Sequence, residues 1–179
     1  ENWEKSIAMT GQYMGGISWT SPESLRRLKL QIRTVPRVTM HGRVNPETLA
    51  REFLQSGVWA YSTWFSETSC ITAAEAQAAG LYIVTTPVAA LNETVSDRGV
   101  RVPGGWDAPQ GSSAAERKEF VAAVVRALRG VDQPKTREGL QAYARENFSL
   151  DGLAADWDRE LRELVARVDV GVIPRFRCG

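Results

Sequence analysis

The sequence predicts an α/β fold, a parallel sheet with helices on its faces. Three observations carry that expectation. Short β-rich runs at residues 58–63, 81–86 and 100–102 alternate with helical stretches, and strands separated by helices pair in parallel. The joints are punctuated by Pro46, Gly57, Gly80, Pro87 and Gly99, residues that end one periodicity before the next begins. Finally, a chain of 179 residues, 43% hydrophobic and 24% charged, has the profile of one ordinary domain of ~100–200 residues.

Taken in order, residues 1–35 read as a helical lead-in of the same domain, two short helices parted by Gly15 and Gly16. The second has Ser21 to cap it, Pro22 at its first position and Glu23 at its positive end. Arg26, Arg27, Lys29, Arg33, Arg37 and Arg43 then follow with no acid among them. That run is either a solvated helix face or a patch for phosphate or an anionic surface. No aromatic platform of the kind that stacks bases is interleaved with it.

The α/β domain is expected over residues 36–168. Residues 37–41 form a short strand candidate, ending at His41, which is held by backbone or faces a ligand. A helix follows with Asn45 as cap, Pro46 first, and Leu49, Phe53 and Leu54 inward, stopping at Gly57. After the strand at 58–63 comes a helix that ends at Gly80, then the strands at 81–86 and 100–102. The last third is helical. Ser113 and Glu116 form a capping box ahead of Phe120, Val121, Val124, Val125 and Leu128, and Gly130 closes that helix. A second helix spans about 135–147. The third sets Leu153, Trp157, Leu161, Leu164 and Val168 on one face, with Asp158–Arg162 and Glu163–Arg167 pairs on the other. Such a helix must lie on something. Residues 169–179 lack periodicity and read as a loose tail.

Composition excludes several classes. With 22 basic and 21 acidic residues the net charge is +1, so no whole-molecule field favours nucleic acid or acidic membranes. The longest apolar runs, such as residues 121–125, fall far short of the ~18 that a membrane span needs. The first twenty residues, with Glu1 and Glu4, show no signal-peptide core. Two cysteines make no disulfide framework, and a reducing cytoplasm is the expected compartment. One histidine, His41, excludes a His-rich metal site.

The chemistry concentrates in residues 64–80. This stretch joins a strand to a helix, and ligands of open α/β sheets sit outside the carboxyl ends of the strands. The helix is small-sided, with Ala73, Ala74, Ala76, Ala78 and Ala79, and its N-terminus near residues 68–72 offers unpaired N–H groups to an anion. Glu67 precedes it and Glu75 lies eight residues on. If the helix is continuous, ~100° per residue leaves the two carboxylates ~80° apart, bordering one cleft. A second reading stands beside this one: Thr72 and Glu75 fit a capping box, and Glu67 complements the dipole. Cys70 has no evident base to activate it. Trp64, beside the carboxylate loop, is a candidate for lining a sugar pocket.

Several motifs come in order along the chain. His41, Gly42, Arg43 and Val44 precede the Asn45 helix. The run at 58–63, the stretch from Glu67 to Gly80, the run at 82–86 and the segment 93–100 follow. Over residues 36–165 this series resembles the C-terminal, donor-binding half of retaining GT-B glycosyltransferases of family four. The resemblance implies a Rossmann-like parallel sheet with flanking helices. It implies a nucleotide-diphosphate sugar as donor substrate, with no resident cofactor and no metal. It places Glu75 on the ribose hydroxyls and Glu67 beside the donor sugar in the catalytic position. The backbone of Ser69, Cys70, Ile71 and Thr72 would face the diphosphate, and the turn of Gly42, Arg43 and Val44 the base. Where many relatives have glycine, this chain has Cys70, which fits only at negative φ.

The family's basic pair for the diphosphate lies in a first βαβ unit, and nothing before Arg37 resembles it. The expectation is therefore an incomplete GT-B C-terminal domain, N-terminally truncated, whose partner is a missing N-terminal acceptor domain of the same protein. No nucleic acid and no transmembrane segment are expected. The rival reading is a non-catalytic α/β module that binds a nucleotide or a partner, and a sugar epimerase on a related fold is a third.

Overall fold

The computed structural model describes residues 22–104, 113–131 and 135–169. The chain divides into two compact units, residues 1–49 and 50–179. The expected helix before Gly15, the cap at Ser21 and residues 170–179 of the tail lie outside the described residues.

In the first unit, helix α1 (Pro22–Thr34) begins at the expected proline. Helix α2 (Pro46–Gln55) starts where Asn45 predicts it, with Asn45 Oδ1 accepting from the Thr48 amide at 2.8 Å. Between them the strand expected at 37–41 does not form. Arg37 turns the chain with a φ of +64°. Val38 and Met40 are both about half exposed, at 49% and 46%. Alternation alone makes no strand without a partner ladder and an apolar layer to bury its face.

In the second unit, β1 (Val58–Tyr61), β2 (Tyr82–Thr85) and β3 (Val100–Arg101) form a parallel sheet in that order, with Val58 opposite Tyr82 and Val84 opposite Val100. Helix α3 (Ile71–Ala78) connects the first two strands. The short α4 (Leu91–Thr94) and a 3-10 turn (Ser96–Arg98) connect the last two. Then come α5 (Ala114–Leu128), α6 (Arg137–Asn147) and α7 (Leu150–Asp169). The α/β expectation holds: a small parallel sheet is flanked by helices. Among the described residues no helix is long and apolar enough to cross a membrane.

The central strand is buried because both of its faces are covered. Leu81 and Ile83 join Cys70, Ala73, Ala76, Leu91 and Val95 on one side. Val84 points the other way, onto Val102, Ala123 and Ala127, so α5 covers the second face. The alanines of α3 let it sit close to the sheet, and α6 lies along it with Leu140 and Ala144 buried. Helix α3 stops at Gly80, whose φ of +74° suits a residue without Cβ, and Gln141 Nε2 donates to the freed Ala79 carbonyl at 3.4 Å. The capping box at Ser113 and Glu116 is formed in both directions.

Two packing expectations need correction. Phe53 packs on the core but Leu54 is 62% exposed, since neighbouring helix positions lie ~100° apart and cannot both face inward. The apolar stripe of α7 is uncovered among the described residues: Trp157 is 60% exposed and Leu161 52%. Its polar flank does form the expected pairs, Arg162 with Asp158 at 2.8 Å and Arg167 with Glu163 at 3.9 Å.

Candidate functional site

The strands end earlier than their composition predicts, and threonines take over. Beyond β1 and β2, Thr86 Oγ1 donates to the Thr63 carbonyl at 2.7 Å and accepts from the Thr63 amide at 3.3 Å. Thr85 Oγ1 donates to the Tyr61 carbonyl at 2.8 Å. Thr63 Oγ1 in turn accepts from the Phe65 amide at 3.0 Å. The Thr85 bond reinforces the last pair of the ladder, and the Thr63–Thr86 bonds continue the pairing where the backbone ladder has stopped. They fix the root of the loop that carries Glu67.

That loop is held at its far end as well. The Glu67 amide donates to the Phe65 carbonyl at 3.1 Å, and its own carbonyl accepts from the Ala90 amide at 3.3 Å. The carboxylate is half-buried. Its Oε1 is shielded from solvent and has no hydrogen-bond partner among the described residues. A buried acceptor without a donor is costly.

Helix α3 begins at Ile71, with Cys70 as its N-cap at φ −103°. Negative φ seats a side chain in the position where the resemblance expects glycine. The thiol turns inward, 2% exposed, with Sγ 3.6 Å from Thr72 Oγ1. Burial pushes its pKa up and the neighbouring Glu67 carboxylate adds to this, against the Thr72 hydroxyl and the Ala73 amide. A buried, protonated thiol is no nucleophile. The Cys70 carbonyl accepts from the Ala73 and Ala74 amides at 3.1 and 3.3 Å. By contrast, the amides of residues 68–72 find no acceptor among the described residues. Ser69, Cys70, Ile71 and Thr72 therefore present a row of donors at the positive end of α3.

Two expectations about the glutamates are corrected. Because α3 starts at Ile71, Glu67 stands outside it, and the ~80° separation of a continuous helix does not apply. Thr72 lies within the first turn and the cap is Cys70, so Thr72 and Glu75 make no capping box. Glu75 is exposed on α3. It lines a groove of about 450 Å³ with Ile71, Ala74, Ala78, Arg145 and Phe148. A second recess, about 320 Å³, opens at the carboxyl ends of the strands between Ser66, Pro87, Val88, Ala89 and Gly104. Trp64 is 38% exposed and stands edge-on to Phe65, ring centres 6.3 Å apart.

Gly42, Arg43 and Val44 belong to the first unit. Gly42 turns the chain at φ +68°. Gly42 and Arg43 border a groove of about 600 Å³ with Leu28, Ile32, Arg33 and Met40. Within the second unit the fold thus brings Glu67, Ser69, Cys70, Ile71 and Thr72 to one helix terminus, and it sets Glu75 on the groove toward α6.

Sequence reasoning missed the link that ties the walls of this site together. Gln77, fully buried on α3, donates to the Thr94 carbonyl at 2.9 Å and accepts from Arg98 Nε at 2.9 Å. The Arg98 guanidinium also donates to the Glu93 and Thr94 carbonyls, at 3.2 and 3.0 Å, and lies 3.6 Å over the Tyr143 ring. Its one sequence signal is a glutamine on the buried side of an alanine helix. Beside it, Asp97 pairs with Lys135 at 3.1 Å, and that ammonium holds the carboxyl below its ordinary range.

A family model described as glycosyl transferases group 1 matches residues 10–130. No curated protein and no solved structure matches the chain.

Proposed function

The chain belongs to the group 1 glycosyl transferases, and on that premise we propose that it binds a nucleotide-diphosphate sugar and serves as the donor half of the transfer to an acceptor. The observation that carries the reading is the row of unpartnered amides at residues 68–72 beside the shielded, unpartnered Glu67 Oε1. Diphosphate is the leaving group of such a reaction, and charge grows on it as the bond to the sugar breaks. Amides fixed at a helix terminus stabilise that charge without reorganising. The sugar becomes cationic at the same moment, and Glu67 lies one short loop away to stabilise it. We assign Glu67 that electrostatic role rather than a covalent one, with retention of configuration and without a metal.

Glu75 is assigned to the ribose hydroxyls and the turn at Gly42, Arg43 and Val44 to the base, both on the strength of the resemblance. Calorimetry with UDP, GDP and ADP on the full-length protein tests the binding half. Glu75→Ala is expected to weaken the preferred nucleotide by about 1.5–3 kcal/mol, the range for a hydrogen bond to a charged group. Unchanged affinity in that variant would remove Glu75 from the site. Failure of all three nucleotides to bind would favour a module that recognises a protein partner instead.

A further inference from the structure

Apart from Arg43, which the sugar-transfer reading places at the base, the basic run in the first unit is unused by that reading, and the structure gives it a shape. Over residues 22–49 there are six basic residues against only Glu23 and Glu47, in a chain whose overall charge is +1. At ~100° per residue, Leu28 and Ile32 share one face of α1. Lys29 and Arg33 follow on one side of that face and Arg27 lies on the other, while Arg26 falls nearly opposite it. The segment after α1 brings Met40 to the same side, and Leu28, Ile32 and Met40 with Lys29, Arg33 and Arg43 line the groove of about 600 Å³. Its floor is open: Leu28 is 49% exposed and Met40 46%, with Val35 and Val38 also exposed nearby.

We infer that this face docks on an anionic lipid bilayer, the apolar floor entering the headgroup boundary while the flanking cations meet lipid phosphates. A helix with an apolar face bordered by Lys and Arg is built for lying in an interface, where burial and charge add. A nucleic acid would need aromatic stacking surfaces, and residues 22–49 contain no Phe, Tyr or Trp. A free phosphate would use the cations but leave the exposed Leu28 and Met40 without a role.

The test is co-sedimentation of the 179-residue chain with vesicles of phosphatidylglycerol and phosphatidylcholine, against vesicles of phosphatidylcholine alone. Binding to the anionic vesicles is expected to exceed binding to the neutral ones by about tenfold or more, and to fall as salt rises. The double variant Arg27→Glu, Arg33→Glu should lose about tenfold or more. Leu28→Gln and, independently, Met40→Gln should each weaken binding several-fold, with far-ultraviolet dichroism unchanged. Equal binding to both vesicle types would overturn the inference. So would full binding by both glutamine variants, which would reduce the effect to simple charge attraction. Competition by millimolar inorganic phosphate at constant ionic strength would also overturn it, by showing a phosphate site. So would binding to an acidic protein such as calmodulin with no vesicle binding.

Discussion

Glu67 combines two properties that rarely coexist at a purely structural position: a shielded carboxylate oxygen and no donor to satisfy it among the described residues. Leaving such an acceptor unpaired costs about 1–3 kcal/mol. Glu67→Gln keeps the shape and removes the charge. The expected outcome is an unchanged or higher thermal midpoint, retained nucleotide binding, and sugar transfer by the full-length protein lowered about 10²-fold or more, as for loss of other preorganised charge-stabilising groups. Wild-type turnover would take Glu67 out of the mechanism. The two glutamates and their spacing were legible in the sequence. The start of the helix between them was not, because Thr68, Ser69 and Thr72 are the usual capping types and the chain caps with Cys70, whose thiol is buried rather than bonded to the helix amides. Local preference was overridden by packing against the sheet.

At the scale of elements, β-rich composition located all three strands but not their ends. Thr63 and Thr86 have strand propensity, yet the Thr86 hydroxyl links them past the ladder, and the Thr85 hydroxyl reinforces the ladder's last pair. The run at 37–41 has the right alternation but pairs with no strand among the described residues. Pairing is a property of two segments, so one segment's pattern cannot reveal it. The Gln77–Arg98 link was equally invisible, since it joins residues 21 apart from two different connections. It locks α3 to α4, and Ala90 at the head of α4 holds the Glu67 carbonyl. Arg98→Ala removes a side chain only 10% exposed and leaves Gln77 Oε1 without its donor. The expected loss in urea denaturation is about 2–4 kcal/mol. Arg126→Ala, which breaks an exposed pair with Glu119 at 3.1 Å, should cost no more than about 1 kcal/mol. Equal losses would mean that the Arg98 network does not set the geometry of the site.

Across the second unit, the large buried side chains gather around the sheet and α3, with Leu81, Leu91 and Leu140 all at 1% exposure or less. Helix α7 stands apart from that core. Its periodicity alone says that it covers an apolar surface, and a stripe with Trp157 at 60% and Leu161 at 52% exposure covers none among the described residues. These facts separate two kinds of apolar residue that look identical in the sequence. Leu140→Ala opens a cavity in a filled core and is expected to cost about 2–5 kcal/mol. Trp157→Ala and Leu161→Ala remove surface that water already reaches, so each should shift stability of the 179-residue chain by no more than about 0.5 kcal/mol. Urea denaturation of the three variants reads the difference directly. A loss of about 3–5 kcal/mol for Trp157→Ala, the cost of truncating a buried aromatic, would show that the stripe is covered in solution. Sedimentation over a range of concentrations would then tell whether a second copy of the chain covers it, because only that covering deepens as protein is added.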